Sequence, residues 1–503
     1  MTADATGLTH RTLQGMVWTA SGVAVEAVLQ SVVIAVLARL LMPADFGVVA
    51  MALVVTGFVA IFGELGLAPA LVQRSRLEPA HIRTAFTGAL ALAAVVAAAL
   101  WVLSPLAARV FGIPAVTPIV RVLGLSLLIK AWGAVPSALL QRAMRFRVLT
   151  AAGVLSYLIG FGAVGIGLAV GGAGPWALVT AQIVQALVYS VIVHVASPVS
   201  HRLALDARAL RDLASYGLGA SAARLANYLA VRGDNLVVGR ALGATALGLY
   251  GPAYQLMALP ADLFQRIVQS VLFPAAAHVQ AEPARLAAAY RRGLAITGLS
   301  ALPITGLTSL LAPEIVHTLL GPRWAGAIGP LQILAAGMFF RVGYKTSVVF
   351  VKAAGAVRPF AARQLAYPVL VLALASFGAR WGLEGVAAGV VVALAVHYAL
   401  LTTLGLRVAG LRLRDYFAAH GPALRLSVAL VGQAWLAVTL MREAGSAPWV
   451  VLVVVATSTT LVGAGLFRRI PDHVLGAEGR WFCRSVARSL ALARLGSGAL
   501  ARS

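Results

Sequence analysis

Charged residues make up only 11% of this 503-residue sequence, less than half of what a soluble domain of ordinary composition carries. Acidic residues are the scarcer kind, 16 against 40 Lys and Arg. Cysteine occurs once, at Cys483, which excludes an intrachain disulfide and any multi-cysteine metal site. No Gly-rich loop ends in Gly-Lys-Ser or Gly-Lys-Thr, so there is no Walker-type grip on a nucleotide. The histidines are scattered, and His81, His201 and His278 lie in connections without metal-ligand spacing. No cofactor, metal or catalytic constellation is therefore expected, and the chain reads as a protein that is not an enzyme. Short segments of alternating polarity are missing too, which excludes a transmembrane β-barrel. Nothing at the N-terminus reads as a cleavable signal: residues 1–12 are polar, and the apolar run Leu13 to Ala38 is too long for one.

What is present is apolar. Hydrophobic residues make up 60% of the chain and the mean hydropathy is +0.91. They recur in blocks of about 20, the length that crosses ~30 Å of hydrocarbon as helix. The blocks predict fourteen transmembrane helices near 13–38, 46–68, 84–106, 119–140, 149–170, 175–196, 214–238, 247–272, 290–311, 328–350, 361–378, 385–406, 423–440 and 448–466. The net charge of +24 could suggest a nucleic-acid binder, but its placement argues otherwise. With the N-terminus inside, 27 Lys and Arg fall in inside segments and 7 in outside ones. That asymmetry is the positive-inside rule. The basicity is topology and contact with anionic lipid, and no nucleic acid is expected as a partner.

Three outside turns recur. "ARLLMPADFGVVA" (38–50) aligns with "GRALGATALGLYG" (239–251), pairing Arg39 with Arg240, Leu41 with Leu242 and Gly47 with Gly248. "FGIPAVTPIVRVLG" (111–124) resembles "LGPRWAGAIGPLQILAAG" (320–337), and "GGAGPWALV" (171–179) resembles "GLEGVAAGV" (382–390). The offsets agree, at 201, 209 to 212 and 211 residues. The fold class expected is an all-α polytopic membrane protein with two pseudo-symmetric six-helix lobes and two extra C-terminal helices. The lobes are 1–198 and 199–410, the extra helices 411–467 and the basic cytoplasmic tail 468–503. An even number of helices per repeat implies an axis along the membrane normal and a cavity between the halves. The tail segment "RWFCRSVARSLALARL" (480–495) is amphipathic, and reads equally as surface-lying or disordered.

Ionisable residues inside spans are costly and mark function. They are Glu26, Lys130, Arg224, Arg232, Asp234, Asp262, Arg266, Arg341 and Lys345, with Glu64 near a helix end and His397 in helix 12. Arg224, Tyr228, Arg232 and Asn235 share one helical face, as do Arg341 and Lys345. Like charges on one face repel, so the last pair asks for an anion from elsewhere. Substrate-binding candidates are therefore Arg232, Arg341, Lys345, Lys130, Arg224 and Arg266. Glu26, Asp234 and Asp262 are candidates for ion coupling. Asp262 with Arg266, and Asp234 with Arg232 or Arg240, also read as buried ion pairs. Gln182, Gln185 and Tyr189 share a face that suits sugar hydroxyls, and interhelical hydrogen bonding explains them equally well.

The stretch "LLMPADFGVVAMALVVTGFVAIFGELGLAPALVQR" (40–74) resembles the Wzx-type oligosaccharide flippases, the polysaccharide transport family within the MATE-fold exporters. "GDNLVVGRALGATALGLYGPAYQLMALP" (233–260) and "LGPRWAGAIGPLQIL" (320–334) look like further regions of that family. The resemblance covers most of the first 400 residues. It implies a MATE-like fold and passage of a polyprenyl-diphosphate-linked oligosaccharide across the bacterial cytoplasmic membrane, for lipopolysaccharide, capsule or exopolysaccharide synthesis. Alternating access around a cationic cavity would achieve it, with helices 13 and 14 near a lipid groove. Membrane lipids, a polysaccharide polymerase and chain-length machinery are the partners it implies. A MATE-type exporter of cationic drugs is the alternative, but its cavity should favour carboxylates. A membrane polymerase or ligase would need an external catalytic loop.

Both termini are expected on the cytoplasmic side. Cysteines placed singly at Ala44, Gly172 and Ser446, in a Cys483→Ser background, should react with an impermeant maleimide from outside. Protection of any one from external reagent breaks the fourteen-helix topology.

Overall fold

The computed structural model describes residues 25–26, 28–63, 67–74, 76–197, 203–278 and 282–469, with 476 and 480. Side chains at 62–63, 213–223, 262–278 and 469 lie outside that description. The readings placed on Glu64, on the side chains of Asp262 and Arg266, and on the amphipathic tail segment therefore lie outside the described residues. Regular structure among the described residues is helical throughout.

The first helices are α1 (Val28–Leu40), α2 (Pro43–Gly63), α3 (Leu67–Gln73), α4 (Pro79–Phe111) and α5 (Val116–Arg142). They are followed by α6 (Phe146–Val170) and α7 (Pro175–Ala196). The stretch Ala207–His278 is helical except at Gly243, whose φ of 86° and ψ of −175° divide it into α8 (207–242) and α9 (244–278). Glycine tolerates that conformation because it has no Cβ. Then come α10 (Pro283–Leu310), α11 (Ala312–Leu319), α12 (Ile328–Ala336), α13 (Met338–Ala353) and α14 (Val357–Gly378). The last are α15 (Gly382–Val408), α16 (Leu413–Glu443) and α17 (Pro448–Arg469). Pro43, Pro79, Pro175, Pro283 and Pro448 open their helices, where a missing N–H costs nothing.

Among the described residues every expected span is occupied by helix, the tenth by α12 and α13 together. Among the described residues, 10 helical stretches are long and apolar enough to cross a membrane by length and composition. The chain is an all-α, multi-pass membrane protein.

Packing divides the chain into two compact units, Met1–Gly251 with Leu319–Arg323, and Pro252–Thr318 with Trp324–Ser503. The repeat places a boundary at 198/199, whereas packing groups α8 and about the first two turns of α9 with the first unit. In the first unit α5 packs against α2, α3, α4 and α7. Leu71, Leu100, Ile119, Leu123 and Leu140 are almost fully buried there. In the second unit α10 packs on α13 and α16, and α15 on α12, α13 and α14. A buried hydroxyl chain joins α10, α13 and α15: Tyr290 Oη to Ser347 Oγ (2.8 Å), and Ser347 to Thr402 (3.1 Å). Thr297 and Thr346 add a second link at 2.8 Å. Lipid tails are as apolar as leucine, so such bonds and close contact, not exclusion of water, hold these helices together.

At the edge expected inside, basic residues do structural work as well. Arg142 Nη1 donates to the carbonyls of Leu71 (3.0 Å) and Arg74, satisfying the end of α3. Arg74 pairs with Asp212 at 2.8 Å. Asp206 caps α8 by accepting the backbone N–H groups of Arg208 (2.8 Å) and Ala209 (2.9 Å).

The repeat meets itself in the first unit. A Cβ on Gly47 would collide with the carbonyl of Ala244, and one on Gly248 with the carbonyl of Pro43. At the offset of 201, Gly47 corresponds to Gly248 and Pro43 to Ala244. The two contacts are thus images of one another, as at a twofold interface. Only glycine lets the backbones of α2 and α9 come this close.

Gly47→Ala and Gly248→Ala should each lower thermal stability in detergent, by about 1–3 kcal/mol from overpacking. Because both open the same crossing, the double variant should lose less than the sum. Strict additivity would mean the two glycines act independently.

Candidate functional site

Polar side chains gather in a cavity of about 480 Å³ in the first unit. Lys130 and Ser137 of α5 face it, seven residues apart on one helical face. Gln182, Gln185 and Tyr189 of α7 line it at spacings of three and four, and Ser156 of α6 and Glu26 complete it. Ser137 Oγ and Tyr189 Oη are 3.0 Å apart, and Ser190 Oγ donates to the carbonyl of Ile129 at 2.9 Å. Glu26 accepts from Gln30 Nε2 at 3.3 Å. The sequence left two uses open for the polar face of α7, and both occur. Tyr189 bonds across to α5, while no hydrogen bond joins Gln182 or Gln185 to another described residue. Two amides, several hydroxyls, a cation and an anion around one cavity suit a hydroxylated ligand with a charged group.

Arg232 and Asp234 stand two residues apart on α8 and point to different environments. Arg232 is exposed at the edge of an apolar groove between α2, α4 and α8. Tyr228, one turn earlier, shares the groove and donates its hydroxyl to the carbonyl of Val54 at 2.7 Å. Asp234 is 1% exposed. It accepts the N–H of Asn235 and the hydroxyl of Tyr250, both at 2.8 Å. The carboxylate thus bridges α8 and α9 across the break at Gly243. Arg224 is half-buried and lies outside the set lining that groove.

In the second unit Arg341 is 7% exposed on α13. Its Nη1 donates to Tyr254 Oη at 2.6 Å, and its guanidinium lies 5.3 Å from the centre of the same ring. Lys345, one turn further, is half-buried. His397 is fully buried and stacked on Tyr367 at 4.3 Å, an aromatic packing position. Among the described residues no group of three His, Cys, Asp or Glu side chains could hold a metal.

Other polar positions carried no sequence signal. Arg442 forms a two-pronged pair with buried Glu314, at 2.7 and 2.9 Å, where charge counting saw only an outside arginine. Arg121 Nε donates to Ser104 Oγ at 2.9 Å beside the apolar groove. Serines 137, 156 and 190 stood unmarked, because a lone serine in a span has no distinctive periodicity.

A family model described as polysaccharide biosynthesis protein matches residues 36–329. The chain belongs to that polysaccharide biosynthesis protein family. This family member is 28% identical to the succinoglycan biosynthesis transport protein ExoT of Rhizobium meliloti (strain 1021), over 65% of its own length and 66% of the relative's. It is 26% identical to the lipopolysaccharide biosynthesis protein WzxC of Escherichia coli (strain K12), over 67% and 69% of the two chains. The chain thus spans about two thirds of the length of these relatives. Its fold is shared with the lipid II flippase MurJ in an inward closed conformation, at a TM-score of 0.70 and 13% identity over 91% of this chain and 99% of that one. An inward-facing multidrug resistance MATE family transporter follows, at 0.61 and 17% identity over 76% and 95%. The polysaccharide biosynthesis family and the MATE-like fold are those the sequence led us to expect. Lys130, Arg224, Arg232 and Asp234 lie within the matched segment of the family member, whereas Glu26, Arg341 and Lys345 lie outside it.

The Asp234 brace is testable by Tyr250→Phe, which removes one donor from a buried carboxylate. The expected loss of stability is about 1–3 kcal/mol in thermal unfolding. An unchanged unfolding temperature would show that the hydroxyl contributes nothing there.

Proposed function

We propose that this family member is a flippase that carries a polyprenyl-diphosphate-linked oligosaccharide across the bacterial cytoplasmic membrane, for lipopolysaccharide, capsule or exopolysaccharide assembly. Transport proceeds by alternating access around cationic side chains, both termini are cytoplasmic, and a polymerase and chain-length machinery act on the product. The observation that carries this reading is the polar cavity of the first unit. Lys130 supplies a positive charge beside the amides of Gln182 and Gln185, a combination suited to sugar hydroxyls and an acidic or phosphorylated group. Relatives named for succinoglycan and lipopolysaccharide biosynthesis support the substrate class. Arg232, Arg341, Lys345, Arg224 and Arg266 supply further charge for the anionic portion. A drug exporter with a carboxylate-rich cavity fits this set less well.

Ion coupling falls to Glu26, which lines the cavity with Lys130; Asp262 is a further candidate, and Asp234 is engaged by Tyr250. An ionisable group inside a membrane protein that can exchange its proton or cation links substrate movement to ion flow.

The test is transport of a fluorescent lipid-linked oligosaccharide in reconstituted vesicles. Lys130→Ala and Arg341→Ala should each reduce the rate at least tenfold at normal protein levels. Arg341→Lys should recover part of the loss if point charge suffices, and little if a planar fork is needed. Glu26→Gln should retain substrate binding while losing the response to an imposed pH gradient. Full transport by both alanine variants would remove the cationic residues from the mechanism.

A further inference from the structure

The polar cavity of the first unit, about 480 Å³ in volume, lies within the range of ligand pockets. Small residues make its room: Gly133 and Ala134 of α5, Gly153 of α6 and Ala186 of α7 line it. A Cβ on Gly153 would meet nothing within 4 Å, so the space beside α6 is open. Further along, α6 widens into a π-helix over Leu158–Gly165, a departure often found at functional sites. There Gly160 lies against α7, where a Cβ would collide with the carbonyl of Ala181 and the Cβ of Gln185. The stem of Gln185 is thereby packed, and the rest of its side chain is left to line the cavity. Ser137 and Tyr189 bond to one another, whereas the amides of Gln182 and Gln185 have no partner among the described residues.

The balance of donors and acceptors decides what fits there. Among the described residues Lys130 and Glu26 are the charged members of the lining, and their formal charges cancel. The sequence holds no other Asp, Glu, Lys or Arg from Thr12 to Ala38, nor anywhere in α7. Lysine only donates, a carboxylate only accepts, and each glutamine amide does both. A diphosphate offers acceptor oxygens alone. It would engage Lys130 but leave Glu26 and two amide carbonyls facing further negative oxygen, and groups left unmatched in a site oppose binding. Among the described residues no arginine lines the cavity to offer phosphate a planar fork. A sugar hydroxyl is donor and acceptor at once and answers every one of these groups. We infer that the cavity is a glycan subsite: it takes an uncharged sugar unit of the transported oligosaccharide, read by Gln182 and Gln185, while the diphosphate lies elsewhere. The inference rests on the flippase reading and narrows it, since Glu26 beside Lys130 turns the cavity from anions toward hydroxyls.

Gly153→Cys in the Cys483→Ser full-length protein places a thiol in that open space, and its rate of alkylation by iodoacetamide reports occupancy. The methyl glycosides of glucose, galactose, mannose and rhamnose are the neutral probes, with glucuronate and inorganic pyrophosphate as the anionic ones. At least one neutral glycoside should slow alkylation saturably, by threefold or more. Pyrophosphate and glucuronate should protect at least tenfold more weakly. Gln182→Leu and Gln185→Leu should each raise the half-protecting sugar concentration at least tenfold, with the sugar-free rate unchanged as the sign of an intact cavity. The comparison of sugar with pyrophosphate needs neither leucine variant, and so stands if one of them misfolds. Equal protection by pyrophosphate overturns the inference. So does protection that survives both leucine variants, or none by any glycoside. Transport of a lipid-linked oligosaccharide by the Cys483→Ser protein in vesicles separates the two proposals. Transport without sugar protection sinks the subsite alone, whereas sugar protection without transport supports the subsite and sinks the flippase.

Discussion

Inside hydrocarbon no water is available to satisfy a peptide N–H or C=O, so each must find its partner within the protein. Most features of this fold follow from that constraint. The regular structure is helical because a helix satisfies its backbone within one segment. Connections shrink where they can, and at Gly243 the turn between α8 and α9 is reduced to a single non-helical residue. Helix ends are met by caps such as Arg142 on α3 and Asp206 on α8.

The same scarcity of water sets how helices attract one another. Apolar side chains gain nothing by leaving lipid for protein, so close approach and interhelical hydrogen bonds take over. Gly47 and Gly248 permit backbone contact at the first crossing of the repeat. The hydroxyl chain from Tyr290 through Ser347 to Thr402 ties the second unit at positions that hydropathy treats as unremarkable.

Polar groups then sort into those the fold answers and those that face open space. Asp234 has Tyr250, and Glu314 has Arg442. Arg232 faces an open trough, and the amides of Gln182 and Gln185 face a cavity. That second group is where the proposed handling of sugars and lipid phosphates would find its chemistry. Lys130 and the polar face of α7 were each legible beforehand, the face because spacings of three and four mark one side of a helix, but their meeting was not. The meeting of Glu26 with that face was not legible, since it depends on how α1 packs against other segments.

The sequence by itself determined the membrane class, the helical segments, the repeat and the family, because hydropathy, charge and turn motifs act on one segment at a time. It also identified Arg232 and Asp234 as charged residues within a span. Only the tertiary structure decided that one faces an open apolar groove and the other a buried tyrosine. The rotation of a helix about its own axis is set by its neighbours. Two residues along a helix are about 200° apart, so that rotation sends one charge outward and the other into the packing.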